Sequence, residues 1–145
     1  MLGNLLECAV ISFVNFAIHG AMTGVIIVAT RRTAALTDHL TAFFRLAALL
    51  TITMVVLMCA HVAEIGVWSL YYQSAGITPA KVGSFEFAFE NYTALGYGDA
   101  IPAEDRRLVG PVTALNGLLL IGWSVATIFE VMRMAEVQIG RLVRR

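Results

Sequence analysis

Charge is scarce in this sequence. Charged residues make up 14% of the 145 positions and hydrophobic ones 59%, against about 25% and 45–50% in an ordinary soluble domain. That deficit and that excess together exclude a soluble single domain. Lysine is confined to Lys81, the formal net charge is zero, and the arginines stand mostly beside apolar runs, which leaves no basic face for nucleic acid. The two cysteines, Cys8 and Cys59, lie inside apolar runs without CxxC spacing, so they read as small membrane hydrophobes rather than a disulfide or zinc site. Met1-Leu2-Gly3-Asn4 lacks the basic region of a signal peptide and precedes an apolar run too long for a cleaved leader, so this run is expected to stay as a membrane helix. No stretch carries arginine at every third position, so steep voltage sensing is not expected.

Three runs carry no charge at all: 8–30, 46–63 and 108–129. As helices they would reach about 27–35 Å, the thickness of a bilayer's hydrocarbon core. The expected fold is an all-α membrane protein with three transmembrane helices. Arg31, Arg32 and Arg45 bracket the first loop, and Arg133, Arg141, Arg144 and Arg145 follow the third run. Arginines near helix ends bias a segment to the cytoplasmic side, which puts the first loop and the C-terminus inside the cell membrane and the N-terminus outside. Segment 73–107 is then external, although it mixes Lys81, Arg106 and Arg107 with five acids. The expected organisation is an additional N-terminal helix at 1–32, a central domain at 41–137 and a basic tail at 138–145, with 33–41 a short polar connection. That tail leaves no room for a soluble ligand-binding module, and no separate regulatory subunit is implied.

The external segment is the informative one. Ser84–Tyr92 reads Ser-Phe-Glu-Phe-Ala-Phe-Glu-Asn-Tyr, with Ser84 as a candidate N-cap and Glu86 near the capping-box position. A helix of this length reaches about 14 Å, half a bilayer, so it cannot span. Thr93-Ala94-Leu95-Gly96-Tyr97-Gly98-Asp99 follows, with alternating glycines that admit backbone conformations other residues resist. Irregular backbone at membrane depth is tolerated where it is buried in protein or lines a watery cavity, so a half-helix and a glycine-punctuated strand between two spans predict a re-entrant pore loop.

Leu95-Gly96-Tyr97-Gly98-Asp99 resembles the selectivity filter of potassium channels, whose usual form is Thr-Val-Gly-Tyr-Gly-Asp. The order of span, half-helix, filter and span resembles the pore domain of that superfamily. His61-x-x-Glu64-Ile65-x-x-Trp68 and 116–124 are similar to small bacterial three-helix relatives. The resemblance implies a homotetramer in the lipid bilayer, in which four loops aim backbone carbonyls of Ala94, Leu95, Gly96 and Tyr97 at a dehydrated potassium ion. Gly98 completes the ion-binding stretch, while Thr93, Glu90 and Asp99 support it. No cofactor and no covalent chemistry are implied; potassium is the permeant ion, and the filter carbonyls are its only expected metal site.

One position departs from the family pattern. Threonine stands innermost in the usual filter, whereas here Ala94 does and Thr93 comes one residue early. Loss of that hydroxyl makes a weakly selective cation channel the first alternative; a non-conducting membrane subunit is the second. Glu90 and Asp99 match positions that form a carboxylate pair behind some filters, where two close carboxyls share a proton; the alternative is Glu90 buried against Asn91 or Tyr92 of a neighbour, with Asp99 solvated.

The third run offers Asn116 and Thr127 for a water-lined cavity or for interhelical hydrogen bonds, and Gly117 and Gly122 as gate hinges or packing glycines. Glu130 either attracts cations or pairs with Arg133. His61 and Glu64 share a helix face. They form a hydrogen-bonded pair tying the second helix to the third or to the half-helix, a proton sensor, or a metal site. A metal site would need further ligands, and His19 is the other histidine in a membrane run. Ser12, Asn15, His19 and Thr23 form a polar stripe beside Gly20 and Gly24, which predicts that the first helix packs on the rest. Trp68, Tyr71 and Tyr72 read as an interfacial aromatic belt.

Overall fold

The computed structural model describes residues 2–80, 82–96, 102 and 106–143, with the side chains of 2 and 138–143 excepted. Four helices follow one another: α1 (Leu2–Leu36), α2 (Ala42–Ser74), α3 (Ser84–Tyr92) and α4 (Val109–Val143). α1, α2 and α4 are each long and apolar enough to cross a membrane, so the all-α architecture of three spans and one short helix holds. Each long helix overruns its uncharged run. At 35, 33 and 35 residues they reach about 50 Å, past the hydrocarbon core. On the overrunning turns Arg31, Arg32 and Arg133 are exposed, an arginine stem lying along apolar surface while its guanidinium reaches water. The connection expected at 33–41 accordingly narrows to the turn at 37–41.

The described chain forms two compact units, Met1–His19 with His61–Ile121, and Gly20–Ala60 with Gly122–Arg145. In the first, α4 buries Val109, Gly110, Thr113, Asn116, Gly117 and Leu120, the three-and-four spacing of one helical face. Leu115, Leu118 and Leu119 point out of the chain. The core joins Trp68, Tyr72, Phe87, Tyr92 and Leu120.

This corrects the aromatic-belt reading: Trp68 and Tyr72 are 0% exposed and Tyr71 9%. Their polar tips are satisfied by protein rather than by an interface. Trp68 Nε1 donates to Asn116 Oδ1 at 3.0 Å, the Tyr72 hydroxyl lies 2.7 Å from Thr113 Oγ1, and the Tyr71 hydroxyl donates to Glu7 Oε2 at 2.9 Å.

The second unit packs Ile26, Leu49, Val56, Leu57 and Val131. There Arg45 reaches Asp38 at 3.1 Å, and Arg133 pairs with Glu130 at 2.7 and 2.9 Å on exposed surface. A Cβ on Gly20 would sit 3.9 Å from the Trp123 ring, whereas one on Gly24 would meet nothing within 4 Å. Close approach at the glycine pair is therefore made at Gly20.

Backbone capping explains where α2 stops. Ile77 N–H donates to Tyr72 O at 3.0 Å and Gly76 N–H to Gln73 O at 3.2 Å, with Gly76 at φ +64° and Ile77 buried. That is a Schellman cap with glycine in its left-handed position. At the start of α3 the N-cap is Gly83, in extended backbone, rather than Ser84. The Ser84 hydroxyl is instead 3.0 Å from Thr78 Oγ1. α3 turns Phe87, Ala88 and Tyr92 inward, while Phe85 and Phe89 are exposed.

Candidate functional site

A single buried carboxylate fastens α3 in place. Glu64, on α2, is 0% exposed. His19 Nδ1 from α1 lies 2.8 Å from its Oε1, and His61 Nδ1 lies 3.1 Å from its Oε2. The Tyr92 hydroxyl, on the last residue of α3, donates to the same Oε2 and is 2.8 Å from His61 Nδ1. An ionised carboxylate accepts hydrogen bonds only, so three donors from three helices converge on a group suited to receive them. The His61–Glu64 pair thus ties α2 to α3, as one reading of its spacing anticipated, and also to α1. His19 is the partner that local spacing could not supply.

Behind this hub runs a second polar layer. Asn15 Nδ2 donates to the Glu64 carbonyl at 3.3 Å and to Asn116 Oδ1 at 3.1 Å, and Asn116 Oδ1 also receives Trp68 Nε1–H. Of the two roles open to Asn116, the structure places it in the interhelical one, 2% exposed. Asn15 and His19, from the polar stripe of α1, are both fully buried. Thr127 is half-buried, with its hydroxyl donating to Trp123 O at 3.1 Å.

Glycine lets α4 close on α3. A Cβ built on Gly117 would stand 2.0 Å from the carbonyl oxygen of Tyr92 and 2.9 Å from its carbon, and one on Gly110 would stand 2.6 Å from Asn91 Oδ1. Gly117 is therefore a packing glycine at the α3–α4 contact. A Cβ on Gly122 would meet nothing within 4 Å.

α3 ends in a second Schellman cap. Leu95 N–H donates to Glu90 O and Ala94 N–H to Asn91 O, both at 3.0 Å, while Thr93 Oγ1 donates to Phe89 O at 2.9 Å. Ala94 occupies the left-handed position at φ +57°, where the cap of α2 has Gly76; Gly96 follows at φ +50°. A left-handed residue bearing a Cβ is strained by about 1–2 kcal/mol. Ala94→Gly is expected to raise stability by about 1 kcal/mol, and Ala94→Thr to lower it, because β-branched residues resist positive φ most. Denaturant unfolding of the purified protein checks this; a threonine variant more stable than wild type would contradict it.

Of the residues singled out by sequence, Glu90 is half-buried on α3, Thr93 caps it, and Ala94, Leu95 and Gly96 are exposed in the single chain. Tyr97, Gly98 and Asp99 lie outside the described residues, and so does the Glu90–Asp99 pairing; Lys81, Arg144 and Arg145 lie outside them too. Sequence reasoning missed Tyr92 as the hydrogen-bonding end of α3 and Gly110 as a contact glycine. Neither has a local signature; both are specified by what lies across the fold.

A family model described as "Ion channel" matches residues 50–134, more than half of the chain. That span takes in most of α2, all of α3 and most of α4. No curated protein and no solved structure matches the chain.

Proposed function

Because this chain belongs to the two-helix ion-channel family, relatives of the potassium-channel pore domain, we propose that it is a homotetrameric, potassium-selective channel of the cell membrane. It is a multi-pass membrane protein of a transport family rather than an enzyme. In the proposed assembly residues 41–137 form the pore domain, with α2 as outer helix, α3 as pore helix and α4 as inner helix. Residues 1–32 add a peripheral helix, and 138–145 a basic tail on the cytoplasmic side, with the N-terminus outside.

One observation carries the reading. A helix of nine residues, about 14 Å and too short to span, is clamped at its C-terminal end by Glu64 and Gly117 immediately before the filter-like sequence. Carbonyls of Ala94, Leu95, Gly96 and Tyr97, repeated around a fourfold axis, replace the ion's hydration shell, with Gly98 closing the stretch. One loop cannot encircle an ion, so the site is complete only in the tetramer. The exposed rings of Phe85 and Phe89 and the exposed Leu95, Leu118 and Leu119 supply apolar surface for neighbouring chains and lipid. The C-terminus of α3 aims its partial negative charge at the cavity. Glu90 and Asp99 brace the filter from behind, Thr127 lines the cavity and Gly122 provides the hinge of an inner gate.

Native mass spectrometry and flux from potassium-loaded liposomes test this together. A tetramer that releases potassium is the expected result. A monomer, or a tetramer without flux in any salt, would overturn it, the latter in favour of a non-conducting subunit. Equal potassium and sodium flux would favour the weakly selective alternative, with the missing hydroxyl at Ala94 as its cause.

A further inference from the structure

The Glu64 hub contains more chemistry than the fastening of α3 requires. Three groups, His19, His61 and Glu64, place one ligand atom each within 4.8 Å of one another. We propose that these three side chains form a binding site for a divalent transition-metal ion of the zinc, cobalt and nickel type, linking α1 to α2, with the Tyr92 hydroxyl of α3 beside the fourth position.

Three observations support it. The donor set is two imidazoles and a carboxylate, which suits zinc, cobalt and nickel and disfavours calcium and magnesium, whose sites are built from oxygen. The spacing is close to what an ion needs: tetrahedral zinc with bonds of about 2.0–2.1 Å sets ligand atoms about 3.3 Å apart. Here His19 Nδ1 lies 2.8 Å from Glu64 Oε1 and His61 Nδ1 lies 3.1 Å from Glu64 Oε2, with one ligand atom of each residue within 4.8 Å of the others, so small side-chain rotations bring the three to bonding distance of one ion. Charge is the third. Glu64 is fully buried, and its carboxylate takes hydrogen bonds from His19, His61 and Tyr92. A buried carboxylate is costly without a cation, and a divalent ion supplies one. His61, whose side chain is 16% exposed, gives the route of entry.

No electron transfer is involved. For neutral rings, each imidazole proton moves from Nδ1 to Nε2, which frees the Nδ1 lone pair for the metal, and the carboxylate binds as it stands. The Tyr92 hydroxyl either takes the fourth position through its oxygen or donates to the carboxylate oxygen left over.

The full-length protein, purified in detergent and stripped with chelator, is titrated with cobalt and zinc ions. The expected result is one ion per chain, visible absorption of four-coordinate cobalt displaced by zinc, and a higher unfolding temperature. His19→Gln is expected to weaken binding at least about 100-fold and to abolish the absorption. His39→Gln, which alters the remaining histidine, leaves both unchanged. His61→Gln repeats the test should His19→Gln fail to fold. Substoichiometric binding to the wild-type chain, or affinity that survives loss of His19 or His61, overturns the proposal. Binding is read without any ion flux, so its failure is distinct from failure of the channel reading.

Discussion

Glu64→Ala is expected to be the most damaging single change in the chain, lowering stability by about 3–5 kcal/mol. The deleted carboxylate receives His19, His61 and Tyr92 at once, so the variant deprives polar groups of three helices of their shared acceptor in a buried space. Glu64→Gln retains the volume and one acceptor but turns an amide N–H₂ toward other donors, so it too is expected to be impaired, though less. Tyr92→Phe removes one donor while keeping the ring, and should lose about 1–2 kcal/mol. The ranking Ala worse than Gln worse than Tyr92→Phe is read from unfolding of the purified protein. A Glu64→Ala variant of wild-type stability would show that the convergence of the three helices does not depend on the carboxylate.

Gly117→Ala is expected to have the second largest effect and to act through the position of α3. The added methyl would fall 2.0 Å from the Tyr92 carbonyl oxygen. That obstacle is backbone, which has no rotamer into which to retreat. Either α4 or α3 moves away, at a cost of at least about 3 kcal/mol, the upper end of overpacking. Flux should fall more than tenfold even where protein is recovered, because the displaced residues immediately precede Ala94. Gly110→Ala meets the Asn91 amide at 2.6 Å, the end of a side chain that can rotate, so its effect is milder. Gly122→Ala meets nothing within 4 Å and serves as the stability control. Equal flux and stability for Gly117→Ala and Gly122→Ala would contradict the close contact.

Much of the architecture was legible because it depends on local patterns. Uncharged runs of bilayer length and a helix too short to span can be read from composition and order alone. The candidate site was legible in one part and opaque in another. Glycine alternation and the filter-like pentapeptide are contiguous, so the resemblance they carry is visible in the sequence alone. The seat of the half-helix joins residues far apart in sequence: His19 to Glu64 across 45 positions, Glu64 to Tyr92 across 28, and Asn15 to Asn116 across 101. Spacing on one helix gives a shared face, but it does not say which neighbour that face meets. The same limit explains Trp68 and Tyr72, whose position near a helix end suggested an interface. Asn116 and Thr113 on α4 instead satisfy their polar atoms in the interior. Gly117 and Gly122 look alike in sequence, and only the carbonyl of Tyr92 separates them.

In the proposed channel the segment beginning at Ala94, held by the Glu64 and Gly117 contacts, forms a potassium-selective pore. The most direct test is the reversal potential of the purified protein in a planar bilayer with potassium on one side and sodium on the other. The expected result is a reversal displaced strongly toward the potassium equilibrium potential, with the backbone carbonyls sufficient despite Ala94. A robust current reversing near zero would contradict it and make this a nonselective cation pore.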